Sequence, residues 1–331
     1  MVIQFGFWRK FQPKADAPLA QKKPILILAP MADVTDFAFR EMFAKHGKPS
    51  VFFTEFVSAD GLCSAKGREK LLIDLKFSRR QKPIVAQIFT SKPENAKKAA
   101  ELCVELGFDG IDVNMGCPER RIEKQGAGAA LIKTPKIAQE VLRATQEGAG
   151  ALPVSVKTRL GYAKDELEAW LPYLLECSPA AVTVHARTRK EMSKVPARWE
   201  RVADAVRIRD GYFKKGAKPL IIGNGDIENL EDAREKAKEC GADGIMVGRG
   251  TFGNPWFFSG TSPSLKERLH AMADHAELFE KTFAGVKGFN IMKKHFKAYI
   301  SGFSGASELR AKLMKTKSAK EVGEVIKNYE V

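Results

Sequence analysis

The sequence predicts an α/β fold, a (β/α)8 or TIM barrel followed by a small C-terminal helical domain, and three observations carry that expectation. Eight short runs rich in Val and Ile recur between residues 25 and 247, mostly bounded by Pro or Gly. Helical patterns separate them, which is the alternation of βα units. The runs are continuously apolar rather than alternating, as in parallel strands covered on both faces. Eight strands over about 225 residues is the barrel count. A doubly wound dinucleotide-binding sheet would need GxGxxG directly after the first strand, and the chain reads APMADVTDFAFR there.

Residues 1–24 read as a basic, weakly ordered lead-in, and the barrel is expected over 25–260. Its strands are placed at Ile25–Leu28, Val51–Thr54, Ile84–Ile88, Gly110–Val113, Val154–Lys157, Ala181–Val184, Leu220–Ile222 and Gly244–Val247. Helices are placed at 35–46, 93–106, 134–147, 165–176, 199–210 and 228–239. Ser91 before Pro93, and Thr134 before Pro135, are cap candidates with Pro in the first turn, where a missing N–H costs nothing. The segment 58–78 and the stretch after Val247 give no clear element. Beyond about residue 260 the alternation stops. Helical patterns at 263–284, 286–300, 306–314 and 318–329 define a helical domain over 261–331 with 13 Lys or Arg against 8 Asp or Glu.

Composition bounds the function. The 331 residues are 44% hydrophobic and 29% charged, which suits a globular chain and not a disordered one. Lys plus Arg number 55 against 40 Asp plus Glu, a formal +15 that favours a polyanionic partner: RNA, DNA or an anionic membrane surface. No stretch reaches the length of a membrane span, and no export signal is evident at the N-terminus, so a cytoplasmic protein is expected. Five scattered cysteines with no CxxC pair argue against a disulfide scaffold and a structural zinc site, and no metal centre is expected. No coiled-coil seam appears, so a monomer is expected.

Barrel chemistry sits just past the strands, at their carboxyl ends. After the first strand comes Ala29-Pro30-Met31-Ala32, small enough for a flat ligand to approach the backbone. Gln87 closes the third run; its carboxamide suits a heterocycle edge or a structural bond to the next strand. After the fourth comes Asn114-Met115-Gly116-Cys117-Pro118. Cys117, in a loop between Gly and Pro, is a candidate nucleophile, acid or metal ligand, whereas Cys103, Cys177 and Cys240 read as core filling. Lys157 and Arg159 end the fifth run, and His185, Arg187 and Arg189 the sixth. The last two end in Gly223-Asn224-Gly225-Asp226 and Gly248-Arg249-Gly250, the glycine turns from which this fold makes a phosphate cradle. The bare inference is a phosphorylated, planar cofactor beside one loop thiol and several cations. No carboxylate pair suggests a glycosidase.

These pieces closely resemble the dihydrouridine synthase family. The resemblance rests on APMADVTDFAFR (29–40), TEFVSADGL (54–62), QIF (87–89), DVNMGCP (112–118), QGAGAAL (125–131), VKTRLG (156–161), VHARTR (184–189), IGNGDI (222–227) and VGRGTFGNPWFF (247–258). It implies an FMN-dependent oxidoreductase that reduces particular uridines in tRNA to 5,6-dihydrouridine, with NADPH or NADH reducing the flavin. It implies hydride transfer from flavin N5 to uracil C6 and a proton from Cys117, the general acid, to C5. It places Pro30, Met31, Ala32, Gln87, Lys157, His185, Asn224, Gly225, Asp226, Gly248 and Arg249 on the cofactor, and Asn114, Arg159 and Arg187 on the substrate side. The helical domain becomes the tRNA clamp, with Lys287, Lys293, Lys294, Lys297, Arg310, Lys312 and Lys315 as candidates. One departure stands out: where the family commonly has Tyr-x-Gly, this chain has Ser193-Lys194-Val195.

Three alternatives are set beside this reading. A flavin barrel acting on a free pyrimidine would share the site but not need a basic helical tail. A dihydrouridine synthase acting on ribosomal RNA would carry the same charge. A non-catalytic RNA-binding barrel would bind tRNA without consuming NADPH.

Overall fold

The computed structural model describes residues 3–12 and 23–329. Eight strands form one parallel sheet: β1 (Ile25–Leu28), β2 (Phe52–Ser58), β3 (Ile84–Phe89), β4 (Gly110–Met115), β5 (Val154–Arg159), β6 (Ala181–His185), β7 (Leu220–Asn224) and β8 (Gly244–Val247). Their order is β1-β8-β7-β6-β5-β4-β3-β2. The two ends of that order meet. Ile27 bridges Val51 in parallel, the Leu28 N–H donates to the Val51 carbonyl at 3.3 Å, and the Ser50 N–H donates to the Leu26 carbonyl at 2.8 Å. The sheet is therefore a closed barrel, with no edge strand left in it.

Thirteen α-helices follow the chain among the described residues: α1 (Phe37–His46), α2 (Ala59–Leu62), α3 (Ala65–Leu71), α4 (Pro93–Glu105), α5 (Arg120–Glu123), α6 (Pro135–Ala149), α7 (Leu167–Glu176), α8 (Trp199–Tyr212), α9 (Leu230–Cys240), α10 (Leu265–Phe283), α11 (Met292–Tyr299), α12 (Ala306–Leu313) and α13 (Ala319–Lys327). Local chemistry sets several ends. The Asp36 carboxylate accepts the Phe39 N–H at 2.9 Å and starts α1. Asn229 opens α9 and left-handed Gly241 closes it. Ser264 and Glu267 form a reciprocal capping box at α10. Pro93 and Pro135 do begin α4 and α6, but Ser91 and Thr134 do not cap them. The Ser91 hydroxyl donates instead to the Gln125 carbonyl. The uncertain segment 58–78 resolves into α2, α3 and a 3-10 turn over Leu72–Leu75. The single helix expected over 286–300 is a 3-10 turn, Phe289–Ile291, running into α11.

The expectation of a weakly ordered lead-in fails for residues 3–12. Gly6–Phe11 form a 3-10 helix whose Trp8 is only 1% exposed. Ile3, Phe5 and Trp8 pack with Ile25, Ala181 and Leu220, the first residues of their strands, and so stopper the barrel floor. Residues 13–22 of that lead-in lie outside the described residues. Gly6 adopts φ +45°, and a Cβ there would stand 2.6 Å from Pro153, so the plug seats backbone against the floor.

A second apolar core lies between the barrel and the C-terminal helices. Met272, Phe279, Phe283, Phe296, Leu309, Leu313 and Val322 pack there with Ala38 and Met42 of α1 and with Trp256. His275 and His295 are buried in it with ring centroids 4.8 Å apart, and their ring nitrogens have no hydrogen-bond partner among the described residues. Burial lowers His275 to about 3 and drives His295 down in the same direction. No described helix is long and apolar enough to cross a membrane.

Two predictions follow from these packings. Trp8→Ala will destabilise the fold by about 3–5 kcal/mol, read as a lower denaturant midpoint at unchanged m-value. The second concerns acid. Below the ordinary histidine pKa the unfolded chain binds a proton at His275 that the folded chain refuses, so stability falls as pH drops from about 6.5 towards 3. One such imidazole contributes a slope of about 1.4 kcal/mol per pH unit in that window. His275→Leu should flatten the acid limb of the stability curve, and an unchanged limb would contradict the assignment.

Candidate active site

The strands carry their polar residues to one rim. A cleft of about 320 Å³ opens there. It is lined by Pro30, Met31, Gln87, Asn114, Cys117, Lys157, Arg159, His185, Arg187, Asn224, Gly225, Asp226, Gly248 and Arg249. Of the expected site residues only Ala32 is missing. The chain turns away after Met31: the Val34 and Thr35 N–H groups donate to the Met31 carbonyl, and Asp33 takes a left-handed φ of +54°. Ala32 is left exposed outside the cleft.

One wall is a chain of amides. The Gln87 amide donates to Asp112 at 2.7 Å, and its oxygen accepts from the Asn114 amide at 2.9 Å. The Asn114 oxygen in turn accepts the backbone N–H groups of Gly116 (3.1 Å) and Cys117 (2.8 Å). This fixes the thiol loop. Arg159 adds to the hold by donating to the carbonyl of Gly116 at 2.7 Å and of Thr188 at 3.2 Å. Burial pushes the Cys117 thiol up, so it is held protonated, in contrast to an activated thiolate.

The opposite wall is cationic. Lys157 donates to the Asn224 oxygen at 2.9 Å, and the Asn224 amide donates to the Met246 carbonyl at 2.8 Å. Burial, reinforced by the neighbouring Arg159 charge, brings Lys157 down to about 8. Burial and four surrounding cations hold His185 neutral. Arg187 is buried, with its side chain 3% exposed. It donates to the Val195 carbonyl at 2.6 Å and pairs with Asp226, so it props the loop after β6. Asp226 also accepts from Arg249 at 2.7 Å and from the Ala197 N–H at 2.9 Å. Its carboxylate therefore orients two guanidiniums. Arg249 stays 63% exposed at the mouth.

Glycine leaves room on this wall. A Cβ on Gly225 would lie 2.8 Å from that of Ala197, and one on Gly248 would lie 3.2 Å from the Met31 sulfur. Gly250 completes the lining.

Several lining residues were not expected: Phe56, Met192, Ile227 and Met246. Phe56 reaches the cleft because the β2–β3 register shifts between Phe53 and Phe56. Met192 does so from a left-handed φ of +56°. Neither has a signal in the sequence, although the departure at Ser193–Val195 marked that loop. Glu55, beside Phe56, turns away from the cleft. Lys287, expected on an RNA-binding face, is only 14% exposed and pairs with Glu55 at 3.1 Å and Asp74 at 2.7 Å. It is not available to nucleic acid. Among the described residues no group of three or more His, Cys, Asp or Glu could hold a metal ion.

A closed barrel with a thiol on one wall of its rim and cations and glycines on the other has the form of a barrel enzyme whose site lies at the strand ends. The family model for dihydrouridine synthase matches residues 27–330. A probable tRNA-dihydrouridine synthase 2 of Bacillus subtilis is 40% identical over 98% of this chain and 97% of its own length. A probable tRNA-dihydrouridine synthase of Staphylococcus aureus is 41% identical over 93% and 94%. The chain belongs to the dihydrouridine synthase family. Solved structures at low identity share the fold alone. A 2-naphthoyl-CoA reductase complex matches at 11% identity and TM-score 0.51 over 71% of this chain and 49% of that one. The 6-hydroxypseudooxynicotine amine oxidase of Pseudomonas geniculata matches at 14% and 0.50, over 71% and 46%.

The loop anchor is open to test. Asn114→Ala removes the acceptor for two backbone N–H groups, so maleimide labelling at Cys117, mapped by peptide mass spectrometry, should accelerate while labelling at Cys63 stays constant.

Proposed function

We propose that this chain reduces uridines in tRNA to 5,6-dihydrouridine, with FMN in the cleft and NADPH or NADH as the source of electrons. The observation that carries the reading is the Cys117 thiol, its loop anchored by Asn114 on one wall of a cleft whose other wall is cationic and glycine-lined.

The residues present fit FMN. Gly225, Gly248 and Gly250 leave backbone exposed where a phosphate tail needs close approach, and Arg249 offers its guanidinium at the mouth. Lys157, Asn224 and neutral His185 would offer it further donors. Beyond its two bonds, the Gln87 carboxamide has one N–H and one lone pair for a heterocycle edge. Met31 would offer the ring an apolar contact. When bound and reduced, FMN supplies the hydride that enters uracil at C6.

The chain supplies the rest. Charge builds on the uracil as the hydride adds, and Cys117 gives a proton to C5 and is reprotonated from solvent. Such positioned proton transfer is typically worth about 10²–10⁴-fold. Asn114 and Arg159 act by holding the thiol loop, and Arg187 by holding the loop that carries Met192 and Ser193. The target base must leave its stack, which costs a few kcal/mol. Lys294, Lys297, Lys312 and Lys315, all exposed on the C-terminal helices and the turn after them, would offset this by meeting RNA phosphates. The helical unit over 261–331 is thereby the RNA clamp.

Cys117→Ala should keep the yellow colour of bound flavin and lose turnover by on the order of 10²–10⁴-fold, read as dihydrouridine in unmodified tRNA by mass spectrometry. Arg249→Ala should release FMN more readily on dialysis. Equal turnover on free uridine and on tRNA would overturn the assigned substrate.

A further inference from the structure

The cleft is tied to the C-terminal helices by a buried relay that the chemistry above does not use. Lys287 lies just past α10, and its ammonium donates to Glu55 Oε2 at 3.1 Å. The other oxygen of that carboxylate, Oε1, accepts the backbone N–H of Asp33 at 2.5 Å. The Glu55 side chain is only 6% exposed. Asp33 sits in the left-handed turn that follows Met31, and the Met31 N–H donates to the Thr35 hydroxyl at 2.8 Å. Met31 is the end of the line: it forms part of the cleft and reaches over Gly248. One carboxylate thus joins a lysine of the helical unit, 232 residues away in sequence, to the turn that shapes the cleft.

We infer that Lys287 is a positioning residue for the cofactor cleft: through Glu55 it pins the Asp33 amide, and with it the Met31 turn, to the docked helical unit. The geometry explains why the pair is buried. A left-handed Asp33 is strained unless its surroundings over-determine it. A carboxylate oriented by an ammonium is a stronger acceptor than one left to rotate. Asp74 shares the ammonium but does not touch the turn, so it neutralises charge without positioning Asp33.

This inference rests on the proposed cofactor only for its second readout. The first is hydrogen exchange at the Asp33 amide in the full-length protein without flavin. Lys287→Met should speed that exchange on the order of ten-fold, the loss of about one net hydrogen bond. Lys287→Arg should restore protection, and Asp74→Asn should leave it within about two-fold of the parent. Should Lys287→Met not fold, the paired variant Glu55→Gln with Lys287→Met removes both charges together and should show the same faster exchange. The second readout is the FMN dissociation constant by fluorescence, expected to rise several-fold in Lys287→Met and not in Asp74→Asn. Unchanged Asp33 exchange in a folded Lys287→Met protein, or in the folded paired variant, overturns the relay. A parent protein that takes up no FMN overturns the cofactor reading instead, and the exchange result still stands.

Discussion

Closure of a single parallel sheet is the constraint on which the rest depends. Once the Leu28 and Ser50 N–H groups join β1 to the segment before β2, all eight strands end at one rim. A polar residue that extends a strand past its apolar run and points inward is then brought to the same rim as its counterparts on the other strands. Asn114, Lys157, His185 and Asn224 are neighbours for that reason, though 110 residues separate the first from the last. The ladder pairs Asn114 with Lys157 and His185 with Asn224 directly.

The rim is electrostatically lopsided. Lys157, Arg159, Arg187 and Arg249 surround a neutral imidazole, and among the lining residues Asp226 is the one carboxylate. Burial lowers Lys157 and Arg159, to about 8 and about 10, which is the signature of cations short of counter-charge. A buried charge without a partner is costly. The same wall carries glycines that hold the backbone open. The proposed FMN, an anion with a phosphate tail, would answer both features at once.

Much of this was legible in the sequence. All eight strands lie where the apolar runs place them, but six of them extend further, to Ser58, Phe89, Met115, Arg159, His185 and Asn224. Apolarity marks the part of a strand packed between barrel interior and helices, whereas the ladder continues to the polar rim. The residues that line the cleft could be picked out because they follow the runs at once. What escaped detection depends on distant partners or on backbone conformation. Trp8 looks like part of a basic tail until the barrel floor is there to receive it. Lys287 looks like any surface lysine until Glu55 and Asp74 close on it from residues more than 200 positions earlier. Phe56 enters the cleft through a register shift, and Met192 through a left-handed residue, neither of which a composition pattern encodes.

The aromatic stopper at the floor has a kinetic corollary. With Trp8 seated under the first residues of the strands, the described residues close the barrel floor, and the cleft opens at the rim. Under the proposed function, a nicotinamide donor and a uracil would share that doorway and take turns at it. Turnover under the proposed chemistry is then a double-displacement cycle, in which the first visitor leaves before the second one enters.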